Sequence, residues 1–104
     1  MEIIQNLSDM IEDEIDDAGK YAECAVRMKK DKPSLAETFY RIANEELVHM
    51  TLLHGQVSAL IEDYRKNNGE PPSDMLRLYN ILHKKHIEDV ASVKGMLLLY
   101  KEPI

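Results

Sequence analysis

The sequence contains few of the residues that cross-link or stiffen a small protein. It has one cysteine, Cys24, no tryptophan and one phenylalanine. A lone cysteine cannot form a disulfide within the chain, so the 104 residues must be held together by packing alone. An unpaired thiol is also more typical of a reducing compartment than of a secreted protein. We therefore expect a cytoplasmic protein without a disulfide framework.

Basic residues are in the minority, and long apolar runs are missing. The chain has thirteen Lys and Arg residues and nineteen Asp and Glu residues, which gives a net charge of −6. An acidic chain is a poor match for nucleic acid or an anionic membrane surface. No apolar run reaches the roughly 18 residues of a membrane span, and the acidic N-terminal stretch lacks the apolar core of a signal peptide. We expect neither nucleic acid nor membrane as a partner.

Helix-breaking residues are scarce and are concentrated at two places. Three of the four prolines, together with Gly69, lie in "KKDKPS" at 29–34 and "KNNGEPPSD" at 66–74. The segments outside these breaks are rich in Leu, Ile, Met, Ala, Glu and Lys and show no strand alternation. The pattern predicts an all-α chain that forms one domain over residues 1–104. The predicted helices cover roughly 3–30, 34–67 and 73–101.

Local signals predict how these helices begin and end. Ser34, followed three residues later by Glu37, predicts a capping box at the start of the second helix. Gly69 predicts a C-cap, and Ser73 or Asp74 predicts the next N-cap. Because both loops are short, neighbouring helices are expected to be antiparallel.

The first two helices each carry an apolar heptad pattern that polar residues interrupt midway. Glu14 interrupts the first pattern, and Glu46 with His49 interrupts the second. The two interruptions lie at similar distances from the connecting loop, so antiparallel helices would bring them face to face. Burying carboxylates without partners is costly, and one divalent metal ion would satisfy all three side chains. The alternative is a hydrogen-bonded polar cluster without a metal.

The motifs around these residues resemble a known superfamily. Glu14 lies in "EIDDAGKY", with Tyr21 seven residues later, and "FYRIANEELVH" ends in Glu46-x-x-His49. The first 65 residues therefore resemble the first helical hairpin of the ferritin-like, rubrerythrin-type di-iron carboxylate proteins. The resemblance implies that Glu14, Glu46 and His49 are metal ligands and that Tyr21 is an accessory residue. It implies iron as the metal, and Mn or Zn would suit the same ligands.

The third predicted helix departs from the superfamily pattern, because it has no Glu-x-x-His. His83 and His86 fall on its apolar side and are further candidate accessory residues. Counting back from the second loop puts them roughly 8 to 12 Å from the level of His49, too far for direct coordination. Lys94 lies nearer that level, and when no metal is bound one carboxylate is expected either to be protonated or to be neutralised by Lys94. His54 falls one residue off the pattern and is expected to pack in the core.

A single Glu and Glu-x-x-His set is half of a ferritin-like site. A two-fold axis would supply four carboxylates and two imidazoles, as in the encapsulated ferritins, which this chain resembles in its hairpin. We therefore expect a bundle completed by oligomerisation, as a homodimer or a larger even-numbered oligomer. The implied function is iron oxidation or reduction of oxygen or peroxide. Such a ferroxidase- or peroxidase-type oxidoreductase would need an external electron donor, since the chain has no Cys-x-x-Cys module. The alternative is a non-enzymatic helical assembly or interaction protein.

Overall fold

The computed structural model describes residues 2–103, and these residues form three long helices. Helix α1 covers Glu2–Met28, α2 covers Pro33–Asn68 and α3 covers Ser73–Lys101. No strand occurs in this part of the chain. The prediction of an all-helical chain with three helices is confirmed, and the predicted ends differ by at most two residues. None of these helices is long and apolar enough to cross a membrane.

The start of α2 differs from the prediction. The helix begins at Pro33, and Lys32 is its N-cap, without a side-chain capping bond. The predicted capping box of Ser34 and Glu37 is therefore wrong. Proline suits the first helical position because its missing N–H would have no partner there. Ser34 then lies inside the helix, where its carbonyl oxygen accepts a hydrogen bond from the Thr38 hydroxyl at 3.2 Å.

The second loop confirms one predicted cap and corrects another. Gly69 has a φ of 81° and its N–H donates to the Arg65 carbonyl, so the C-cap of α2 is as predicted. Helix α3 is capped by Pro72 rather than by Ser73 or Asp74. The Pro72 carbonyl accepts the first backbone hydrogen bonds of the helix, so a side-chain cap at the next residues is superfluous.

Helix α1 is the central element of an elongated molecule. Its backbone lies close to α2 over much of its length and to α3 over less, whereas α2 and α3 meet mainly through side chains, such as the stacked rings of Tyr40 and Tyr100. The molecule measures 56 × 18 × 18 Å, and its radius of gyration is 16.7 Å. A compact domain of this length would have a radius of gyration of about 13 Å. Three helices of this length thus leave long stretches of helix surface without a neighbour.

Side-chain contacts define how the helices are aligned. Along α1, Glu14 lies beside His49 of α2, and Tyr21 stacks on Phe39 of α2. Residue 12 of α1 contacts residue 85 of α3, and residue 19 lies beside residue 93, so here the numbers rise together. These contacts fix the register of all three helices.

The buried stripe of α1 is rotated from the predicted one. Its buried side chains recur at positions 4, 8, 11, 15, 18, 22 and 25, whereas positions 7, 14 and 21 are half-buried. The cause is α3, which contacts α1 on the side of positions 12 and 19 and draws the stripe toward itself. The predicted heptad pattern ran through positions 4, 7, 11, 14, 18, 21 and 25; positions 4, 11, 18 and 25 lie in the core, and positions 7, 14 and 21 lie at its edge. In the single chain Glu14 and Glu46 are therefore half-buried, and His49 is exposed.

Candidate metal centre

Three side chains from two helices meet midway along the α1–α2 hairpin. His49 Nδ1 lies 3.3 Å from Glu14 Oε2 and 4.0 Å from Glu46 Oε2. One ligand atom from each residue lies within 4.8 Å of the other two. Within residues 2–103, no other group of three or more His, Cys, Asp or Glu side chains meets this criterion. The structure thus brings together the three residues that the sequence marked as ligands.

Helix geometry and core packing position these side chains. Glu46 and His49 are three residues apart, so they project from the same side of α2. Leu47, beside Glu46, is buried, as is Ile15, beside Glu14. These two apolar residues hold the helices against each other at the level of the polar group. The carboxylates therefore have a fixed separation that depends on packing rather than on a bound ion.

The two carboxylates compete for ionisation. The pKa of Glu46 is raised to about 7, first because its protonated form donates a hydrogen bond to Glu14, and then because of burial and the charge of Glu14. His49 lowers the pKa of Glu46 in part. A shared proton thus relieves the repulsion between two acids at this point. A divalent cation could take the place of that proton, since carboxylate oxygen and imidazole nitrogen both suit Fe, Mn and Zn.

The side chains of this group, Glu14, Glu46 and His49, are partly exposed to solvent. The side chain of His49 is 55% exposed, that of Glu14 27% and that of Glu46 19%. Apolar side chains recur around it at heptad spacing on both helices and form what we call the open hairpin face: Ile3, Leu7, Met10 and Tyr21 of α1, and Leu35, Phe39, Ile42, Leu53 and Leu60 of α2. Ile3 and Met10 are both about half exposed.

The accessory residues lie apart from this group. Tyr21 stacks on Phe39, with ring centroids 6.0 Å apart, and it lies about 10 Å along α1 from Glu14. Apart from this ring contact, the Tyr21 hydroxyl forms no hydrogen bond to Glu14 or Glu46 in the described part of the chain. Tyr21 therefore shares the open hairpin face with the carboxylates but does not bind them.

The α3 candidates lie on a different side of the hairpin. His83 and His86 line a groove between α2 and α3, and Lys94 lines the same groove. Lys94 forms no ion pair with Glu14 or Glu46, so its expected neutralising role is wrong. The reason is that α3 contacts α1 on the side of Glu12, away from the carboxylates.

The contact between His54 and His83 was not predicted from the sequence. His54 was expected only to pack in the core, yet its Nε2 lies 3.0 Å from His83 Nδ1. Its position beside the heptad pattern places it on the α3-facing side of α2. The pairing of His54 with His83 depends on how α3 is rotated about its own axis, and the sequence pattern does not determine that rotation.

Comparison of the chain with protein-family models, with curated proteins and with solved structures found no match. The interpretation of the site therefore depends on the chemistry and geometry of its own residues.

Proposed function

We propose that this chain is a ferritin-like metal-binding protein whose ligands are Glu14, Glu46 and His49. The observation that carries the proposal is the convergence of these three donor atoms within 4.8 Å on two packed helices. We further infer that the helices form an antiparallel bundle, which the register of the side-chain contacts supports. Iron is the proposed metal, and Mn or Zn would fit the same donors.

We propose that a second copy of the chain completes the site. The open hairpin face combines exposed apolar residues at heptad spacing with polar ligands at its centre, which is the composition of a bundle interior rather than of a solvated surface. Two such faces related by a two-fold axis would enclose four carboxylates and two imidazoles. This ligand complement suits two ions, whereas one chain supplies three donors. The protein would then be a homodimer or a larger even-numbered oligomer.

The proposed activity is oxidation of iron(II), or reduction of oxygen or peroxide with electrons from an external donor. A pair of irons would supply the redox chemistry in such a site. The chain's own residues would hold the ions at a fixed separation, and the apolar side chains of the open hairpin face would exclude water. Glu46 would release its shared proton on metal binding. We propose that this ferroxidase- or peroxidase-type protein acts in the cytoplasm.

A metal-dependent melting experiment tests the proposed ligands. Addition of Fe(II) under anaerobic conditions, or of Mn(II), should raise the melting temperature of chelator-treated protein, because a ligand specific for the folded state stabilises it. At a metal concentration a hundred times the dissociation constant, the free energy of unfolding should increase by on the order of 3 kcal/mol.

Glu46→Ala should abolish the metal-dependent rise in melting temperature. Glu45→Ala, at the exposed neighbouring position, should preserve it. An undiminished rise in Glu46→Ala would show that the ligand set is wrong.

One observation favours the alternative, a helical assembly protein without catalytic activity. Helix α3 exposes large apolar side chains, namely Leu78, Ile81, Ile87, Leu98 and Leu99. Such residues suit contact with another protein chain. The metal content of protein purified without added metal discriminates the two functions. Iron or manganese at about one ion per chain supports the metalloprotein, and metal-free oligomers support the assembly protein.

A further inference from the structure

A second cluster of metal-ligating side chains lies in the groove between α2 and α3. The groove has a volume of about 420 Å³. Three of the four histidines of the chain line it: His54 from α2, and His83 and His86 from α3. The walls are otherwise mostly apolar, with Met50, Ile87 and Val90 among them. Three imidazoles thus converge on one cavity, on a different side of the hairpin from the carboxylates.

Two of these imidazoles lie close to the spacing of ligands of one ion. His54 Nε2 lies 3.0 Å from His83 Nδ1, and the two rings stack with centroids 4.6 Å apart. Two nitrogens that each bind a tetrahedral zinc ion at about 2.1 Å are separated by roughly 3.4 Å, so a small widening of this pair would admit the ion. The Tyr79 hydroxyl oxygen lies 3.4 Å from the same His54 nitrogen. A cation could therefore replace the proton that the two imidazoles now share.

His86 provides an independent observation. The residue is only 5% exposed, and its Nε2 has no hydrogen-bond partner among the described residues. Leaving a buried polar nitrogen unsatisfied is costly, so such a group points to a partner. His86 follows His83 by three residues and shares its side of α3. Its ligand nitrogens do not lie within 4.8 Å of both other imidazoles, so coordination by all three requires its side chain to move.

We propose that this groove is a second metal site, which takes a borderline divalent cation such as Zn²⁺ or Cu²⁺. His54 Nε2 and His83 Nδ1 are its first two ligands, and His86 supplies the third nitrogen. Imidazole nitrogen suits these ions better than it suits Ca²⁺ or Mg²⁺. The site does not depend on the proposed carboxylate centre.

The protonation state of the cluster agrees with this assignment. Burial and the nearby His83 lower the pKa of His54, and burial is the largest influence that lowers the pKa of His86. These imidazoles are thus held neutral near pH 7, which is the form that binds metal.

The neighbouring charges leave room for a cation. Lys85 is held by Glu12 and Asp89, so its charge is compensated. Lys94 lines the other end of the groove, eight residues from His86, or about 12 Å along the helix. Lys84 follows His83 in the sequence, but it is exposed, so solvent and salt screen its charge.

A metal at this point would add a link between α2 and α3, which meet mainly through side chains. Their contacts include the stacked rings of Tyr40 and Tyr100 and the histidine pair. Coordination would fix the angle of α3 to the hairpin. It would do so without blocking the open hairpin face.

Zn²⁺ titration of a variant that lacks the carboxylate ligands tests this site separately. In Glu14→Ala/Glu46→Ala, calorimetry and native mass spectrometry should show one Zn²⁺ bound per chain. His83→Gln added to this background should weaken binding by roughly tenfold or more, as should His54→Gln. Glu45→Gln, at an exposed position of α2, is the control and should leave the affinity unchanged. Circular dichroism checks that each variant is helical.

Cu²⁺ provides a spectroscopic test on the same Glu14→Ala/Glu46→Ala variant. Electron paramagnetic resonance should show hyperfine coupling to at least two imidazole nitrogens, and His83→Gln should lower the number of coupled nitrogens. Absence of Zn²⁺ binding in the carboxylate variant would overturn the proposal. Binding that survives both His83→Gln and His54→Gln would also overturn it, since the ion would then lie elsewhere on the surface.

Discussion

At the residue scale, the main feature is a pair of carboxylates that cannot both be comfortably ionised without a cation. Glu14 and Glu46 project from different helices, and the packing of Ile15 and Leu47 keeps them close. His49 offers partial compensation but is more exposed than either acid. The arrangement therefore costs folding free energy that a proton or a metal ion can recover.

This cost predicts a pH dependence for the metal-free protein. The pKa of Glu46 in the folded chain, about 7, lies above its ordinary value of 4.5. The folded state therefore holds this proton more tightly than the unfolded state, and the free energy of unfolding should fall as pH rises from about 4.5 to about 7. Glu46→Gln, which cannot ionise, should not show the part of this fall that comes from Glu46.

Urea unfolding of the chelator-treated unmodified protein and of Glu46→Gln, at pH 5 and pH 7.5, measures how much the free energy of unfolding of each changes with pH. Parallel changes in the two proteins would contradict the shared proton.

At the scale of helices, α1 organises the fold because it contacts both of the other helices. Small residues allow this close approach: Ala18, Ala22 and Ala25 are completely buried. Larger buried residues on the same stripe supply most of its apolar area, and Ile11 is 1% exposed. Stability should therefore depend on the α1 stripe more than on α3.

Substitutions at two isoleucines test this dependence. Ile11→Ala removes a side chain from the centre of the core and should lower the free energy of unfolding by about 2 to 5 kcal/mol. Ile81→Ala, on α3, removes a side chain that is 61% exposed and should cost less than about 1 kcal/mol. Urea denaturation followed by circular dichroism measures both. Similar losses for the two variants would contradict a core centred on α1.

The sequence predicted the helices and the ligand group, because both depend on local signals and on the register of one hairpin. Pro33 and Gly69 mark the loops, and equal distances from the first loop place Glu14 opposite Glu46. The caps at Ser34 and Ser73 were not predictable, since the neighbouring prolines begin those helices instead. The rotation of the buried stripe and the pairing of His54 depend on where α3 docks, and no local signal encodes that.

At the scale of the whole molecule, the elongated shape leaves the open hairpin face uncovered. The face runs along both α1 and α2 and carries the ligand group at its centre. A single chain leaves apolar side chains of this face exposed to solvent, among them Ile3, Met10 and Leu35. We therefore propose that a second copy of the chain covers this face and completes the site.

A charge placed on this face should separate the copies. Met10 lies one helical turn before Glu14 and is 51% exposed, so Met10→Lys should shift the protein toward monomers and weaken metal binding. Val48→Lys changes a similarly exposed position that is turned away from the ligands on α2, and should leave both properties intact. Light scattering at micromolar concentration measures the mass. Equal masses for the two variants would place the interface elsewhere.

The proposed function requires Glu14, Glu46 and His49 to hold metal between two copies of the chain. A crystal structure of protein grown with Mn²⁺, with ions located by anomalous diffraction, would test this. We expect a pair of ions at a two-fold axis, with Glu14, Glu46 and His49 of both copies within coordination distance. Ions bound only at other residues, or a dimer that buries a different face and leaves these side chains in solvent, would contradict it.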